Sequence, residues 1–222
     1  MKQEDSTISI GDTNSATNHA QRRKVMNEKK TGFPRRISYS LIFLLLIFVG
    51  VPLMIKNIYG VEEAFKKTPA GKIEVKIIPE SKVMVSEGEG NYYRTRNYLF
   101  RRLFNYISEN NVAMTTPVEA RIENAQMKFY VGTKDKVKAL QDQGSVRIVT
   151  VPQRTVVSIG IRGVYTEGSF EKARAQLEQW LKDNKEYRQS GDVYAVFWDA
   201  PFMPWFLKRS EVHIPVEKTE KQ

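Results

Sequence analysis

Few side chains in this 222-residue chain have the types and spacing needed for catalysis. It has no cysteine, and of its two histidines only His213 lies in the part of the chain with the apolar pattern of a folded domain. Cysteine nucleophiles and thiolate metal sites are therefore excluded, and a zinc site lacks the several ligands it needs. The sequence contains neither a G-x-S-x-G nucleophile elbow nor a G-x-x-x-x-G-K-[ST] phosphate loop. We therefore predict a binding protein and not an enzyme.

One predicted helix, at 91–110, combines an apolar face with a positive charge. At 100° per residue Arg96 falls on this apolar face, and a cation in such a position favours an anionic partner. Alternatively, Arg96 extends from the end of the stripe into water. The aromatic residues of the face could contact a ligand or belong to the core. The face consists of Tyr93, Phe100, Leu103, Phe104 and Ile107.

A second cluster, close to the C-terminus, combines aromatic and basic side chains. Aromatic faces with nearby cations suit a flat, anionic ligand, although the same loop could instead pack on a sheet. In the strand after this loop, His213 shares a face with Glu211 and Pro215, opposite Val212 and Ile214, which favours a solvated side chain. The cluster comprises Phe202, Met203, Trp205 and Phe206 beside Pro201 and Pro204, followed by Lys208 and Arg209.

The elements that must position these residues show helical and strand periodicity in turn. The order strand, helix, strand, strand occurs twice, which predicts an α+β fold with a distorted β-barrel or sheet, two amphipathic helices and a concave groove between helix and sheet. In the first strand Ile73, Val75 and Ile77 share one face. The predicted strands are 72–77, 82–85, 113–122 and 127–131 in the first half and 145–151, 155–161, 193–197 and 211–216 in the second, with helices at 91–110 and at 170–181 behind Ser169.

An apolar stretch at 37–55 predicts a membrane anchor. Its 19 residues carry no charge, and as a helix it would be about 28 Å long, close to the thickness of a bilayer core. A cleaved signal peptide is an alternative, but its apolar region is usually shorter and ends at a small-x-small site. A buried core helix is the other alternative, but such helices rarely lack a polar face.

The distribution of charge predicts the orientation of this anchor. The net charge is +10, and residues 21–36 alone contain seven basic residues against one acidic residue. The positive-inside rule therefore predicts a disordered basic cytoplasmic tail at 1–36, with the domain on the periplasmic or other extracytoplasmic side. Since much of the charge lies beside the anchor, no nucleic-acid partner is predicted. The remaining boundaries are a tether at 56–71, a domain at 72–216 and a disordered C-terminus at 217–222.

Three stretches within 72–216 together resemble the SOUL haem-binding protein family. Residues 103–118 end in the M-T-x-P-V signature, residues 177–181 (LEQWL) close the second helix, and residues 198–216 resemble the family's Y-D-x-P, R-R-N-E-V and P-V ending. The sequence departs from that ending at Trp198, Ala200 and Ser210, where tyrosine, proline and asparagine are usual.

The resemblance implies reversible binding of haem or another tetrapyrrole in an apolar groove beside the first helix, without an obligatory axial histidine. Binding of another amphipathic molecule or of a protein partner is the alternative. The candidate contacts are Tyr93, Arg96, Asn97, Phe100, Phe104, Ile107, Trp205, Phe206, Lys208 and Arg209, with His213 a weak candidate for an axial ligand.

Overall fold

The computed structural model describes residues 61–219. The predicted tail at 1–36 and the predicted membrane span at 37–55 lie outside these residues, as do 56–60 and 220–222. Within 61–219, no helix is both long and apolar enough to cross a membrane. The tail, the span and the side of the membrane on which the domain lies therefore remain predictions from the sequence.

Nine antiparallel strands form one sheet in the described part of the chain. All the strands predicted from alternation are present, and Tyr187–Gln189 is an additional short strand. The strands are β1 Ile73–Ile78, β2 Ser81–Glu87, β3 Val118–Arg121, β4 Gln126–Tyr130, β5 Val146–Val151, β6 Arg154–Arg162, β7 Tyr187–Gln189, β8 Tyr194–Phe197 and β9 Arg209–Lys218.

Two helices cover one face of the sheet. Helix α1 is Tyr92–Glu109, where the Asn91 side chain accepts a hydrogen bond from the Tyr93 backbone N–H as the N-cap. Helix α2 is Glu167–Asp183, and its cap is a reciprocal pair in which Thr166 and Ser169 bond each other's backbone. Such caps satisfy backbone N–H groups that the first turn leaves free, which explains why both helices begin where they do.

The strand order shows a repeat, but its unit is strand, strand, helix, strand, strand and not the predicted strand, helix, strand, strand. Along the sheet the order is β1, β6, β9, β8, β3, β4, β2, β5, and β7 pairs with β9 off this path. The order is symmetrical about the β8–β3 pair, so that β1, β2, α1, β3 and β4 correspond to β5, β6, α2, β8 and β9. Each half also places its first strand against the other half, because β1 pairs with β6 and β5 pairs with β2.

The sheet is open but strongly curved. Its path has two ends, β1 and β5, so the closed barrel that was one form of the prediction is not formed. Residues 79–80 nevertheless join β1 at one margin to β2 near the other, and 152–153 join β5 to β6 in the same way. Each link spans at most about 11 Å, whereas a flat sheet would separate those strands by about 29 Å. The curvature leaves a concave face on the side opposite the helices.

Residues 61–70 cross this concave face and form what we call the N-terminal strap. The Ala64 N–H donates to the Thr116 carbonyl, and Thr68 is 5% exposed. The ring of Phe65 packs edge-on against Tyr130 and Trp198, with centroid distances of 5.8 and 5.2 Å. Residues 61–70, which belong to the predicted tether, are therefore bound to the sheet.

In the first strand, the face that the apolar pattern picks out is not the face that is fully buried. Ile77 is 60% exposed, whereas Ile78 is fully buried on the concave face. Helix α2 contacts β6, β7 and β9, so the marginal strand β1 receives little cover on the helix side. Alternation located the strand but could not show which of its faces would be covered.

Candidate functional site

The residues that the sequence singled out on α1 form a line along one flank of the helix. Tyr93, Asn97, Phe100 and Phe104 are spaced i, i+4, i+7 and i+11, which places them one above another. Asn97 is exposed, Phe104 is 49% exposed, and Tyr93 and Phe100 are half-buried. Ile107 differs, since it is 5% exposed and packs in the core. The first four therefore form one flank of the helix that is at least partly open to solvent, and Ile107 does not belong to it.

Aromatic rings continue from this line onto the sheet. Phe100 stacks on Phe104 at 5.9 Å and meets Phe129 of β4 edge-on at 5.5 Å. At the start of the helix, Tyr92 stacks on Phe197 of β8 at 5.8 Å. The predicted groove beside α1 thus has an aromatic wall in Phe100 and Phe104, whereas Phe129 and Tyr92 belong to the core beneath it. Exposed aromatic faces of this kind suit a flat apolar ligand.

Arg96 lies beside the start of this groove. Its side chain is exposed in the ligand-free domain, although helical spacing places it near the apolar face. Burial raises the pKa of Tyr93 to about 12, while the positive charge of Arg96 acts in the opposite direction on the pKa of both Tyr92 and Tyr93. Arg96 is therefore a cation close to two phenols at the groove entrance, where it could meet an anionic group.

The two helices approach each other at their N-termini. The Tyr93 hydroxyl donates to the Thr166 carbonyl at 3.2 Å, and Asn91 Nδ2 donates to Glu167 Oε1 at 2.6 Å. Beneath these contacts is a cleft of only about 10 Å³, with Tyr93, Tyr165 and Phe197 among its lining residues. Ligand pockets usually measure about 300–1,000 Å³. This cleft is therefore too small to hold a macrocycle.

The C-terminal cluster forms a loop at 199–208, between β8 and β9, which we call the aromatic loop. Trp205 and Phe206 are 64% and 49% exposed and lie in a short 3-10 turn. Lys208 Nζ is 5.4 Å from the ring centroid of Tyr165, a residue of the cleft. Arg209, by contrast, is held by Asp199 through two side-chain bonds of 2.8 and 3.2 Å. Lys208 is near enough to the cleft to meet a ligand, while Arg209 is engaged within the fold.

His213 is placed quite differently from the prediction of a solvated side chain. It is 0% exposed, because the strap covers this part of β9 and the Phe65 ring lies 5.9 Å from the imidazole. Its Nε2 is 2.7 Å from Glu211 Oε2, and its Nδ1 is 3.1 Å from the Tyr194 hydroxyl. Both ring nitrogens are occupied, and they lie on the face opposite the α1 groove. His213 is therefore not positioned to ligate iron bound in that groove.

Glu211 is the centre of a buried polar network on the concave face. One carboxylate oxygen accepts from the Thr68 backbone N–H and from Trp198 Nε1, and the other from Ser158, Lys76 and His213. Burial alone would raise the pKa of Glu211, but hydrogen bonding and the charge of Lys76 lower it to about 2. Glu211 therefore remains an anion inside the domain.

The network continues towards the other end of the concave face. Glu119, 2% exposed, accepts hydrogen bonds from Tyr130 and Arg154. Arg154 Nε also donates to the Tyr194 hydroxyl at 3.2 Å, which connects this group to His213. No local pattern in the sequence predicts this network, because its members come from different strands. The only indication was the placement of charged residues at alternate positions within predicted strands.

In the part of the chain that the structure describes, no three His, Asp or Glu side chains group closely enough to hold a metal ion. The exposed aromatic side chains of α1, with Arg96 and Lys208 nearby, have the chemistry that suits a flat macrocycle with acidic substituents. The described residues offer such a ligand stacking surfaces and cations rather than a histidine for its iron.

Comparison with solved structures shows that the fold is a known one. The C-terminal domain of EcmrR superposes with a TM-score of 0.55 at 18% identity, covering 67% of this chain and 98% of that one. EcmrR in a complex with DNA gives a TM-score of 0.56 at 17% identity, covering 93% of this chain and 74% of the other. A hydrolase from Listeria innocua gives 0.46 at 13% identity, covering 68% and 94%. At these identities the likeness concerns the fold alone.

Comparison of the sequence itself identifies the family. No curated protein matches the chain significantly. The family model described as SOUL heme-binding protein, however, matches residues 59–215, most of the chain and nearly all of the described part. The match confirms the resemblance found in the M-T-x-P-V and C-terminal motifs, and it begins where the strap begins rather than at residue 72. The chain therefore belongs to the SOUL haem-binding family.

Proposed function

We propose that this protein binds haem or a related tetrapyrrole reversibly in the groove beside α1, as a carrier, buffer or sensor and not as an enzyme. In this proposal the apolar stretch at 37–55 anchors the chain in a membrane, with the N-terminus in the cytoplasm. The domain then meets its ligand on the periplasmic or other extracytoplasmic side. Membership of the family and the absence of catalytic motifs from the sequence support the proposal.

The observation that carries the proposal is the exposed aromatic line on α1. Monomeric proteins expose single apolar side chains freely, but several aromatic side chains aligned on one flank of a helix favour a binding site. Phe104, 49% exposed, stacks on Phe100, which leaves one ring face available at the groove surface. A porphyrin could extend this stack, and its acidic substituents would then point towards Arg96 at the groove entrance.

Binding in this manner does not require a bond from the protein to iron. Bound haem supplies an iron centre, but His213 lies on the opposite face with both nitrogens occupied. The described residues would instead hold the macrocycle by stacking and by charge. We therefore expect metal-free protoporphyrin IX to bind nearly as well as haem.

Visible-absorption titration of residues 60–222, which form a compact unit with its own core, tests the proposal. We expect saturable one-to-one binding of haem and of protoporphyrin IX, with retention of ligand against low concentrations of albumin. Linear adsorption that albumin removes would contradict it and favour a different amphipathic ligand or a protein partner. If haem binds but metal-free protoporphyrin IX does not, a bond from the protein to the iron would be the main contribution to affinity.

Topology is tested separately. A reporter enzyme that works only outside the cytoplasm should be active when it is fused after Gln222, and one that works only in the cytoplasm should be inactive. The N-terminal residues should remain part of the mature chain. Cytoplasmic reporter activity, or a mature chain beginning after Ile55, would overturn the membrane part of the proposal without affecting the ligand part.

A further inference from the structure

The aromatic loop presents three large apolar side chains to solvent within five residues. Phe202 is 79% exposed, Trp205 64% and Phe206 49%. Val164 adds a fourth apolar side chain, 49% exposed, since the neighbouring Gly163 N–H donates to the Lys208 carbonyl at 2.9 Å. Together these four residues form an apolar patch outside the α1 groove.

The base of the loop is fixed by hydrogen bonds. Asp199 accepts from the Arg209 backbone N–H at 2.7 Å and from its guanidinium at 2.8 Å. Between them, the Tyr165 hydroxyl donates to the Arg209 carbonyl at 2.7 Å and accepts from the Asp199 N–H at 3.1 Å. Lys208 Nζ also closes the loop by donating to the Pro201 carbonyl at 2.7 Å. These hydrogen bonds fix the two ends of the loop, and its apolar side chains remain exposed to solvent.

Basic side chains border this patch. Arg162 is exposed at the end of β6, opposite Arg209 in the strand register, and Lys208 is half-buried. Asp199, the acidic residue of the loop, is already paired with Arg209. An apolar patch that contains tryptophan and has a basic border matches the boundary between headgroups and acyl chains of an anionic bilayer.

The position of the loop beside the N-terminal strap also favours a bilayer as its partner. Trp198, which directly precedes the loop, contacts Phe65 of the strap at 5.2 Å and lies under Lys67 Nζ at 4.6 Å. Only nine residues, 56–64, separate Phe65 from the end of the uncharged stretch at 37–55. That length of chain can extend at most about 35 Å. A bilayer that holds the stretch would lie within reach of the loop.

We propose that the aromatic loop inserts Phe202, Trp205 and Phe206 into the interfacial region of an anionic lipid bilayer. The loop would fix the orientation of the domain on the membrane, which the tetrapyrrole groove alone does not require. This proposal rests on the membrane anchor of the proposed function but not on the ligand, because a domain that binds no tetrapyrrole would still dock by this loop.

The chain contains no cysteine, so a single introduced cysteine gives a unique labelling position. The full chain with Phe202→Cys carries a spin label and is placed in vesicles of phosphatidylcholine and phosphatidylglycerol. We expect the label to be several-fold more accessible to oxygen than to a water-soluble nickel chelate. Trp205→Ser with Phe206→Ser should abolish this difference in the same labelled chain.

Lys185→Cys is the matched control, exposed after α2. It lies just before β7, which pairs with the end of the ten-residue β9, whereas the loop precedes the start of β9. The two labels are thus separated by about 30 Å of strand. The control label should remain more accessible to the chelate.

Three results would overturn the proposal. The first is equal accessibility of the two labelled positions in full chains that float with the vesicles; failure to float would instead contradict the membrane anchor. The second is protection of the Phe202→Cys label in dilute micelles together with spin–spin broadening, which would assign the patch to a second copy of the chain. The third is protection that appears on adding protoporphyrin IX without lipid, which would assign it to the ligand. Equal protection in pure phosphatidylcholine would remove the requirement for anionic lipid.

Discussion

The imidazole Nε2 of His213 lies 2.7 Å from Oε2 of Glu211, two residues earlier on the same strand, and both side chains are buried. At the other nitrogen, Nδ1 faces the Tyr194 hydroxyl, whose oxygen also accepts from Arg154 Nε. One arrangement satisfies all these contacts: neutral His213 donates from Nε2 and accepts from Tyr194 at Nδ1. A second proton on the ring would remove that acceptor.

The pH dependence of stability should reflect this arrangement. Burial lowers the pKa of His213, and the carboxylate of Glu211 only partly opposes the change. Below the ordinary histidine pKa of about 6.5 the unfolded chain then binds more protons than the folded one. The free energy of unfolding should therefore fall as pH decreases from about 6.5, by at most about 1.4 kcal/mol per pH unit for this group. Urea unfolding between pH 7.5 and 5 measures the slope.

His213→Gln supplies the control for that slope. Glutamine remains polar but does not titrate, so the variant should be less stable at pH 7.5 yet change less between pH 7.5 and 5. A variant with the same slope as the parent chain would show that other groups cause the acid sensitivity. The lowered pKa of Glu211, about 2, adds loss of stability only below its ordinary value of about 4.5.

Lys76→Met should destabilise the domain by about 3 kcal/mol, because it leaves the buried Glu211 carboxylate without its ammonium partner. Lys76 Nζ lies 2.5 Å from Glu211 Oε2, and the two side chains are 15% and 1% exposed. Combining it with Glu211→Gln should cost less than the sum of the two single changes, since no buried charge is then left unpaired. Additive losses in chemical denaturation would show that the two side chains do not interact.

Arg96→Ala should weaken tetrapyrrole binding by about 1.5 kcal/mol, the lower range for a hydrogen bond to a charged group, because the arginine is exposed without ligand. This corresponds to about a tenfold higher Kd. Arg94→Ala is the matched control, since it is also exposed and lies about 200° around the helix. Equal affinities for both variants would remove Arg96 from the site and favour its alternative role as a solvated side chain.

Phe104→Ala should mainly lower ligand affinity, whereas Leu99→Ala should mainly lower stability. Leu99 is 0% exposed, so its truncation should cost about 2–5 kcal/mol of stability with or without ligand. Phe104 is 49% exposed, so its loss should cost under about 1 kcal/mol of stability but lower the affinity for protoporphyrin IX. Thermal unfolding and titration on the same preparations separate the two effects. Unchanged affinity in Phe104→Ala would contradict the proposed groove.

Gly160→Ala tests how the strap is held. A Cβ at this position of β6 would lie 2.4 Å from the Pro69 carbonyl oxygen and 2.5 Å from that of Thr68. The strap would have to move, with loss of the hydrogen bond from Thr68 to Glu211, and we expect a cost of about 1–3 kcal/mol and faster proteolysis within 61–70. Gly168→Ala is the control, because no atom lies within 4 Å of its added Cβ. Equal stability of both variants would mean that the strap is loosely bound.

The sequence predicted α1 to within one residue at each end, because the apolar spacing is regular between Asn91 and Asn110, which the structure shows to be the caps. The exposed flank of that helix followed from the same periodicity. Ile107 was assigned to the wrong set, since it lies on the buried side of the same stripe. Periodicity indicates the direction of a side chain from the axis but not how far the neighbouring sheet extends.

The concave face could not be predicted in the same manner. His213 and Glu211 alternate with apolar residues, as they would on a strand with one solvated face, and only the strap turns that face into an interior. Arg154 and Glu119 are 35 positions apart and lie on strands that are not neighbours. Such a pair results from the curvature of the sheet, which local sequence does not specify.

Because each half pairs its first strand with the other half, the two halves cannot be separated without leaving strands unpaired. A fragment that ends near residue 142 contains β1 to β4 but lacks β5, and its β1 has no β6 to pair with. The second half has the corresponding deficits, so each fragment would have unpaired strand edges that favour association. The two halves should therefore gain structure only when mixed, as complementing fragments, and two chains could trade halves to form an intertwined dimer.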